Sequence, residues 1–224
     1  QTSGGRDTRL WKLEGDKLGN GTATIRFLPR IDGDEYELPW VKLFSHGFQG
    51  PTGKWYIENS LTTIGKDDPV GELNSKLWNS GIDANKELAR AQRRQLSYYA
   101  NVLIISDPKN PDNEGKVLIY RFGKKIFDKI MDKAKPTFED EKPVNVFDLW
   151  EGATFKLRMK KTGVGKATYP NYDDSEFSPC KPLYDGNEKK IQGALDVCFD
   201  LAEFTDIKNY PTNDETIQKL GVIL

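Results

Sequence analysis

The chain has 224 residues, 30% of them charged and 37% hydrophobic, with a formal net charge of −1 at pH 7. It is long enough for a substantial core. With no apolar run of bilayer length and no basic-then-apolar leader pattern, it reads as an intracellular protein without a membrane span. Two cysteines, Cys180 and Cys198, and one histidine, His46, exclude a disulfide framework and a complete Cys/His zinc site built from these residue types.

Residues 1–9, QTSGGRDTR, are polar and glycine-rich and read as a flexible N-terminal segment ahead of a folded region over 10–224. Structure should begin at Leu10-Trp11-Lys12-Leu13, and after the LGNG turn at 18–21 the alternation in TATIRFLP predicts a strand. WVKLFSHGF (40–48) and KWYIENS (54–60) predict two more, joined by a Gly/Pro turn. Residues 61–81 show little periodicity and read as an irregular excursion anchored by Leu73, Leu77 and Trp78. Asp83 is placed to cap a helix over 84–96 with Leu88 and Ala91 on one side.

The two strongest strands follow, YYANVLIIS (98–106) and KVLIYRF (116–122), separated by the long polar loop DPKNPDNEG. Within the second, alternation puts Leu118, Tyr120 and Phe122 on one face and Ile119 and Arg121 on the other. Gly123 opens a helix to Ala134 striped by Ile126, Ile130 and Ala134. ATFKLRMKK (153–161) is a further strand leading into a flexible basic loop, TGVGKATYPNY. Glu188 to Phe204 reads as a helix facing inward through Ile191, Leu195, Cys198 and Ala202. Five or six strands with short helices in the connections predict an α+β or mainly β fold, or a small barrel with insertions.

The near-zero net charge conceals segregation. From Lys86 to Lys133 there are eleven Lys/Arg against six Asp/Glu, and from Lys156 to Lys166 five against none. Asp32 to Glu37, Glu139 to Glu151 and Asp196 to Glu215 are acidic blocks. A chain neutral overall but segregated by segment can present a basic face to a polyanion.

Catalytic readings are weak by comparison. GVGKAT at 163–168 lacks the first glycine and the following Ser/Thr of a phosphate loop, because Lys160 and Ala167 stand at those positions. A lone His46 at a strand end supports no triad, and the acid pairs Asp67-Asp68 and Asp173-Asp174 are ordinary loop chemistry. The stronger signal is a repeated pairing of rings with cations. Tyr98-Tyr99 follow Arg93-Arg94, Tyr120 and Phe122 sit beside Arg121 and Lys124-Lys125, and Tyr169 and Tyr172 follow Lys160, Lys161 and Lys166. Single-stranded nucleic acid calls for this combination, since cations follow phosphates and rings stack on any base. An RNA-binding module and a carbohydrate binder stacking sugars on Trp55, Trp78 and the tyrosines are the other readings of the same rings.

HGF followed by GKWYIE, then SYYANVLIISDP, NEGKVLIYRFGKKIFDKI and LWEGATFKL, with LWKLEGDKLGNGTATIRFLP near the start, resemble the core domain of the helix-destabilising single-stranded DNA-binding proteins of T-even-type bacteriophages, the gene 32 protein family. The resemblance covers roughly residues 10–175. It implies an OB-fold core, a five-stranded Greek-key barrel, with an inserted smaller subdomain around 46–95 and peripheral helices, the C-terminal ones at about 188–224. It also implies a non-enzymatic protein of phage DNA replication, recombination and repair, acting in the cytoplasm of the infected bacterial host. By position it places Arg93, Arg94, Tyr98, Tyr99 and Tyr120 at the DNA, with Tyr172 on a later loop; Arg121, Lys124, Lys125, Lys160 and Lys161 join them from the charge pattern. His46 falls on the family's zinc-binding histidine, but Ser60, Asp68 and Gly71 stand where its three cysteines are expected. No metal or other cofactor is therefore expected. The family's N-terminal arm for self-association and its acidic C-terminal tail for replication and recombination partners are expected to be absent from this chain.

Overall fold

The computed structural model describes residues 7–31, 37–165 and 167–224. The expected fraying of residues 1–6, the acidic run at 32–36 and the candidate cation Lys166 lie outside the described residues. The described residues form a strand-rich α+β chain: β1 (Leu10–Trp11), β2 (Gly21–Phe27), β3 (Val41–Gln49), β4 (Trp55–Asn59), α1 (Pro69–Trp78), α2 (Asp83–Ala91), β5 (Gln95–Ser106), β6 (Val117–Phe122), α3 (Lys124–Ala134), β7 (Ala153–Val164), β8 (Ala167–Asn171), β9 (Glu176–Cys180), α4 (Glu188–Leu195) and α5 (Asn213–Ile223). They divide into two compact units, residues 1–40 with 98–201 and residues 41–97 with 202–224.

In the first unit the strand order is β1-β6-β5-β2-β7-β8, with β9 also on β7. The pairs are antiparallel except β1 with β6, where Trp11 lies beside Tyr120. Ile25, Phe27, Val102, Ile104, Ile119, Phe155 and Leu157 supply the buried interior. A second apolar layer joins Leu28, Leu103 and Val117 to Leu183, Ile191 and Ala194, so α4 closes over the sheet. Arg26 is buried within this unit and donates to the carbonyls of Asp148 at 2.8 Å and Lys181 at 3.0 Å. That fork ties two loops to β2 and satisfies a charge that burial would otherwise penalise heavily.

The basic segment after Lys161 is a hairpin, not the flexible loop expected. β7 runs on to Val164, and β8 pairs with it from Lys160↔Asn171 to Val164↔Ala167. Gly165, at φ +61°, supplies the left-handed residue that a tight hairpin turn requires. At the other end of the unit, the expected helix over 188–204 stops at Leu195. Ala202 lies in a separate exposed 3-10 turn, and Ile191 and Ala194 take the buried positions.

The second unit is built on the β3–β4 hairpin, in which Gln49 lies opposite Trp55 and Ser45 opposite Asn59. Phe48 and Tyr56 stack at 5.2 Å and pack with Val70 of α1 and Leu220 and Ile223 of α5. The excursion expected over 61–81 contains a 3-10 turn, Leu61–Ile64, and the ten-residue helix α1. Its buried anchors are Leu61 and Val70; Leu73 and Leu77 are only half-buried and Trp78 is exposed. Asp68 caps α1 by accepting from Val70 N–H at 2.9 Å, and Pro69 takes the first helical position, where its missing N–H costs nothing. α2 ends at Ala91, five residues earlier than expected, and buries Ala89 while Leu88 is exposed. Arg93 and Arg94 therefore follow the helix and are not part of it. α5 begins with a reciprocal cap between Thr212 and Glu215.

Candidate nucleic-acid interface

In the second unit a chain of hydrogen bonds runs from the buried hairpin to Arg94. His46 Nδ1 lies 3.2 Å from the Gln92 carbonyl and Nε2 lies 3.1 Å from Asp68 Oδ2. Both partners are acceptors, so a proton on either ring nitrogen has an acceptor in reach. Ser60 Oγ donates to the same Asp68 oxygen, which leaves it to accept from Thr62 Oγ at 2.9 Å. Thr62 Oγ in turn accepts from Arg94 Nη1 at 2.7 Å. The Arg94 guanidinium lies 4.2 Å above the Phe44 ring, a cation–π contact that fixes its plane. Asn74 of α1 donates at 3.0 Å to the same Gln92 carbonyl. The backbone just before the arginine pair is thus held from β3 and α1 together. Arg93 and Arg94 are both exposed and border an open cleft with Thr62, Asn74 and Trp78.

His46, Ser60 and Asp68 are the residues at three positions where the resemblance implies zinc ligands, with Gly71 at the fourth. The donor set is one imidazole, one carboxylate and one hydroxyl, without a thiolate, and Gly71 contributes no side chain. That set does not fit a four-ligand structural zinc site. Its groups are also spent on one another: burial alone would raise the Asp68 pKa, but hydrogen bonds from His46, Ser60 and the Val70 N–H outweigh it and hold the carboxyl at about 2. Among the described residues, no group of three or more His, Cys, Asp or Glu is placed to hold a metal ion.

In the first unit the aromatic candidates differ from expectation. Tyr98, Tyr99 and Tyr120 are buried, at 4%, 6% and 4% exposure. Tyr98 stacks on Phe127 of α3 at 4.1 Å and on Phe122 at 5.6 Å. Tyr120 packs against Trp11 at 5.1 Å, Phe122 at 5.5 Å and Phe27 at 6.5 Å. The ring that the resemblance places at the DNA is thus packed inside this unit. β6 is paired on both edges, and its Tyr120–Phe122 side faces the aromatic core, while Ile119 on the opposite side is also buried. Alternation separates two faces but does not say that one of them meets solvent. Arg121, opposite Tyr99, is where this strand reaches the surface. Tyr172 is half-buried, its hydroxyl 3.4 Å from Met159 Sδ.

The cations are exposed. Lys124 is paired along α3 with Asp128 at 2.7 Å, and Lys125 reaches Asp173 at 3.1 Å. Lys160 is ion-paired with Asp174, and Lys161 is exposed on the hairpin. β7 holds more than was picked out from the sequence. Phe155, Leu157 and Met159 face the core, so Lys156, Arg158 and Lys160 share the outer face in a row with a repeat of roughly 6.8 Å. Thr162 continues that row opposite Tyr169, whose ring is 57% exposed, and Asn171 stands opposite Lys160. Lys156, Arg158 and Tyr169 were legible in the alternation of ATFKLRMKK and its hairpin partner, once the hairpin is recognised.

Comparison with known proteins follows the same direction. The family model described as gp32 DNA binding protein like matches residues 19–224. The chain is 39% identical over 224 residues to the single-stranded DNA-binding protein of Enterobacteria phage T4, covering 97% of this chain and 71% of that protein. It is equally identical to the single-stranded DNA-binding protein of Enterobacteria phage T2, covering 97% of this chain and 70% of that protein. The protein of the same name from Enterobacteria phage RB70 is 43% identical over 97 residues, 42% of this chain and 77% of that protein. With the match extending through both units, the chain belongs to the gp32 DNA binding protein like family.

Proposed function

We propose that this protein binds single-stranded DNA without sequence preference and without catalysis, coating transient single strands during phage replication, recombination and repair in the infected bacterial cell. The observation that carries the reading is the solvent-facing row Lys156, Arg158 and Lys160 on β7, with exposed Tyr169 on the paired strand and the lysines of α3 in the same unit. Cations at regular spacing neutralise a phosphate chain, and an exposed ring gives any base a stacking surface. Arg93 and Arg94 of the second unit, held by the His46–Asp68–Ser60 network, are the proposed second set of phosphate contacts. Tyr98, Tyr99 and Tyr120 then serve as packed rings of the first unit, and Arg121, Tyr172, Lys124, Lys125 and Lys161 of the same unit are proposed as further contributors to binding.

The finer architecture is proposed on the same basis: the strands of the first unit form an OB-type barrel and the second unit is the added subdomain. The hydrogen-bonded network takes the place of a structural metal. Self-association and partner proteins are proposed to act through segments of the kind found at the termini of relatives. No helix among the described residues is long and apolar enough to cross a membrane.

The experiment is a competition in which labelled oligothymidylate is displaced by unlabelled single-stranded DNA, duplex DNA and RNA of equal length. Single-stranded DNA is expected to compete best. Equal competition by duplex DNA, or preferential competition by RNA, would overturn the reading.

A further inference from the structure

The loop between β8 and β9, residues 172–175, carries Asp173 and Asp174 in among the cations of α3 and β7. Its placement is fixed from both sides. Ser175, buried, accepts from Arg158 N–H at 2.9 Å and donates to the Arg158 carbonyl at 3.1 Å. Asn171 donates to Asp173 Oδ2 at 2.7 Å, and its own side-chain oxygen accepts from the Asp173 N–H at 2.9 Å. From that anchored position Asp173 accepts from Lys125 Nζ at 3.1 Å, and its backbone carbonyl accepts from Lys129 Nζ at 2.8 Å. Asp174 accepts from Lys160 Nζ.

The electrostatics agree with the geometry. Hydrogen bonds from Asn171 and Lys125 hold the Asp173 carboxyl below the usual carboxylate range, and the bond from Lys160 does the same for Asp174, with Arg158 adding to the field. Cations from two elements well separated in the sequence are therefore neutralised by two carboxylates on a surface open to solvent. The side chains of Lys125 and Lys160 are 74% and 54% exposed.

We propose that Lys125, Lys129, Arg158 and Lys160 form one phosphate-contacting set, occupied in the free protein by Asp173 and Asp174 as internal counterions that a DNA backbone displaces. This rests on the single-stranded DNA reading and adds to it Asp173 and Asp174 as the groups that hold these cations in the free protein. Each exposed ion pair is weak and easily exchanged. A polyanion presenting several phosphates at once displaces both acids, whereas an isolated anion does not. The acid pair thereby lowers affinity for short or incidental anions and keeps the bound strand releasable.

The test is the double variant Asp173→Asn with Asp174→Asn, which keeps side-chain shape and removes the charge. Oligothymidylate affinity is measured by intrinsic fluorescence at low and moderate salt, with a melting curve alongside. Affinity should rise by roughly three- to thirtyfold at a given salt concentration. Unchanged or weaker binding, with the unaltered chain binding normally, overturns the inference. Failure of the unaltered chain to bind any single strand sinks the functional reading itself, a separate outcome. Lys129→Gln and Arg158→Gln decide the matter even if the acid variant does not fold. Each should weaken binding and make the slope of log K against log salt shallower by about 0.7. No change in either slope overturns the proposal.

Discussion

Replacing Tyr120 by alanine separates a structural ring from a stacking platform. The side chain is 4% exposed and sits among Trp11, Phe27 and Phe122, so removing it opens a cavity in the centre of the first unit. Large buried aromatics truncated to alanine cost roughly 3–5 kcal/mol. The edge-on contact with Trp11 at 5.1 Å puts this site toward the upper half of that range, because such pairs add about 0.5–1.5 kcal/mol beyond area burial. For a chain of this size each kcal/mol lowers Tm by roughly 2–4 °C, so Tyr120→Ala should melt on the order of 6–20 °C earlier. Well below that melting point the variant should bind oligothymidylate nearly as tightly as the unaltered chain. A variant that melts normally and binds roughly tenfold or more weakly would refute the packing argument and restore Tyr120 as a base platform.

Tyr169→Ala should do the reverse, lowering affinity by about 1–3 kcal/mol per stacked base with little change in Tm, since its ring is 57% exposed. Titration with the variant and a melting curve check this; full affinity would remove Tyr169 from the interface. Asp68 makes stability depend on acid in a defined direction. Its folded pKa of about 2 lies below its ordinary 3.8, so the stabilisation is fully present above about pH 4 and is lost as pH falls through about 2. The difference amounts to about 2 kcal/mol, and an Asp68→Asn variant should lose this part of the acid dependence in denaturant melts at several pH values. A metal chelator should leave Tm unchanged, and elemental analysis should find no stoichiometric zinc; a chelator-induced loss of stability would contradict the hydrogen-bonded network as the support of Arg93 and Arg94.

How much of this was legible depended on what each segment had to bury. The strands at 98–106 and 116–122 were plain because long β-branched and aromatic runs have few other uses. The helix α1 was hidden because only Val70 of its residues is fully buried, and the remaining signal was the Asp68-Pro69 start, which periodicity does not detect. The β7–β8 hairpin looked like a loop because its lysines, glycines and threonines carry no apolar face, and its pairing is held by backbone bonds. Tyr120 was placed on the correct side of its strand, but alternation left open whether that side is core or stacking surface, since neighbouring elements decide whether a face is covered. Asp173 and Asp174 resembled ordinary loop acids. Only their three-dimensional placement against Lys125, Lys129 and Lys160 gives them a role.

The central claim is the proposal that the exposed cations of β7 and α3 in the first unit hold a single-stranded phosphate backbone. The most direct measurement is the affinity for oligothymidylate across a range of salt concentrations. Contacts to about three to five phosphates predict a linear plot of log K against log salt with a slope of roughly −2 to −3.5. A slope near zero with tight binding retained would contradict the account, because no set of phosphate-neutralising lysines and arginines can bind without releasing counterions.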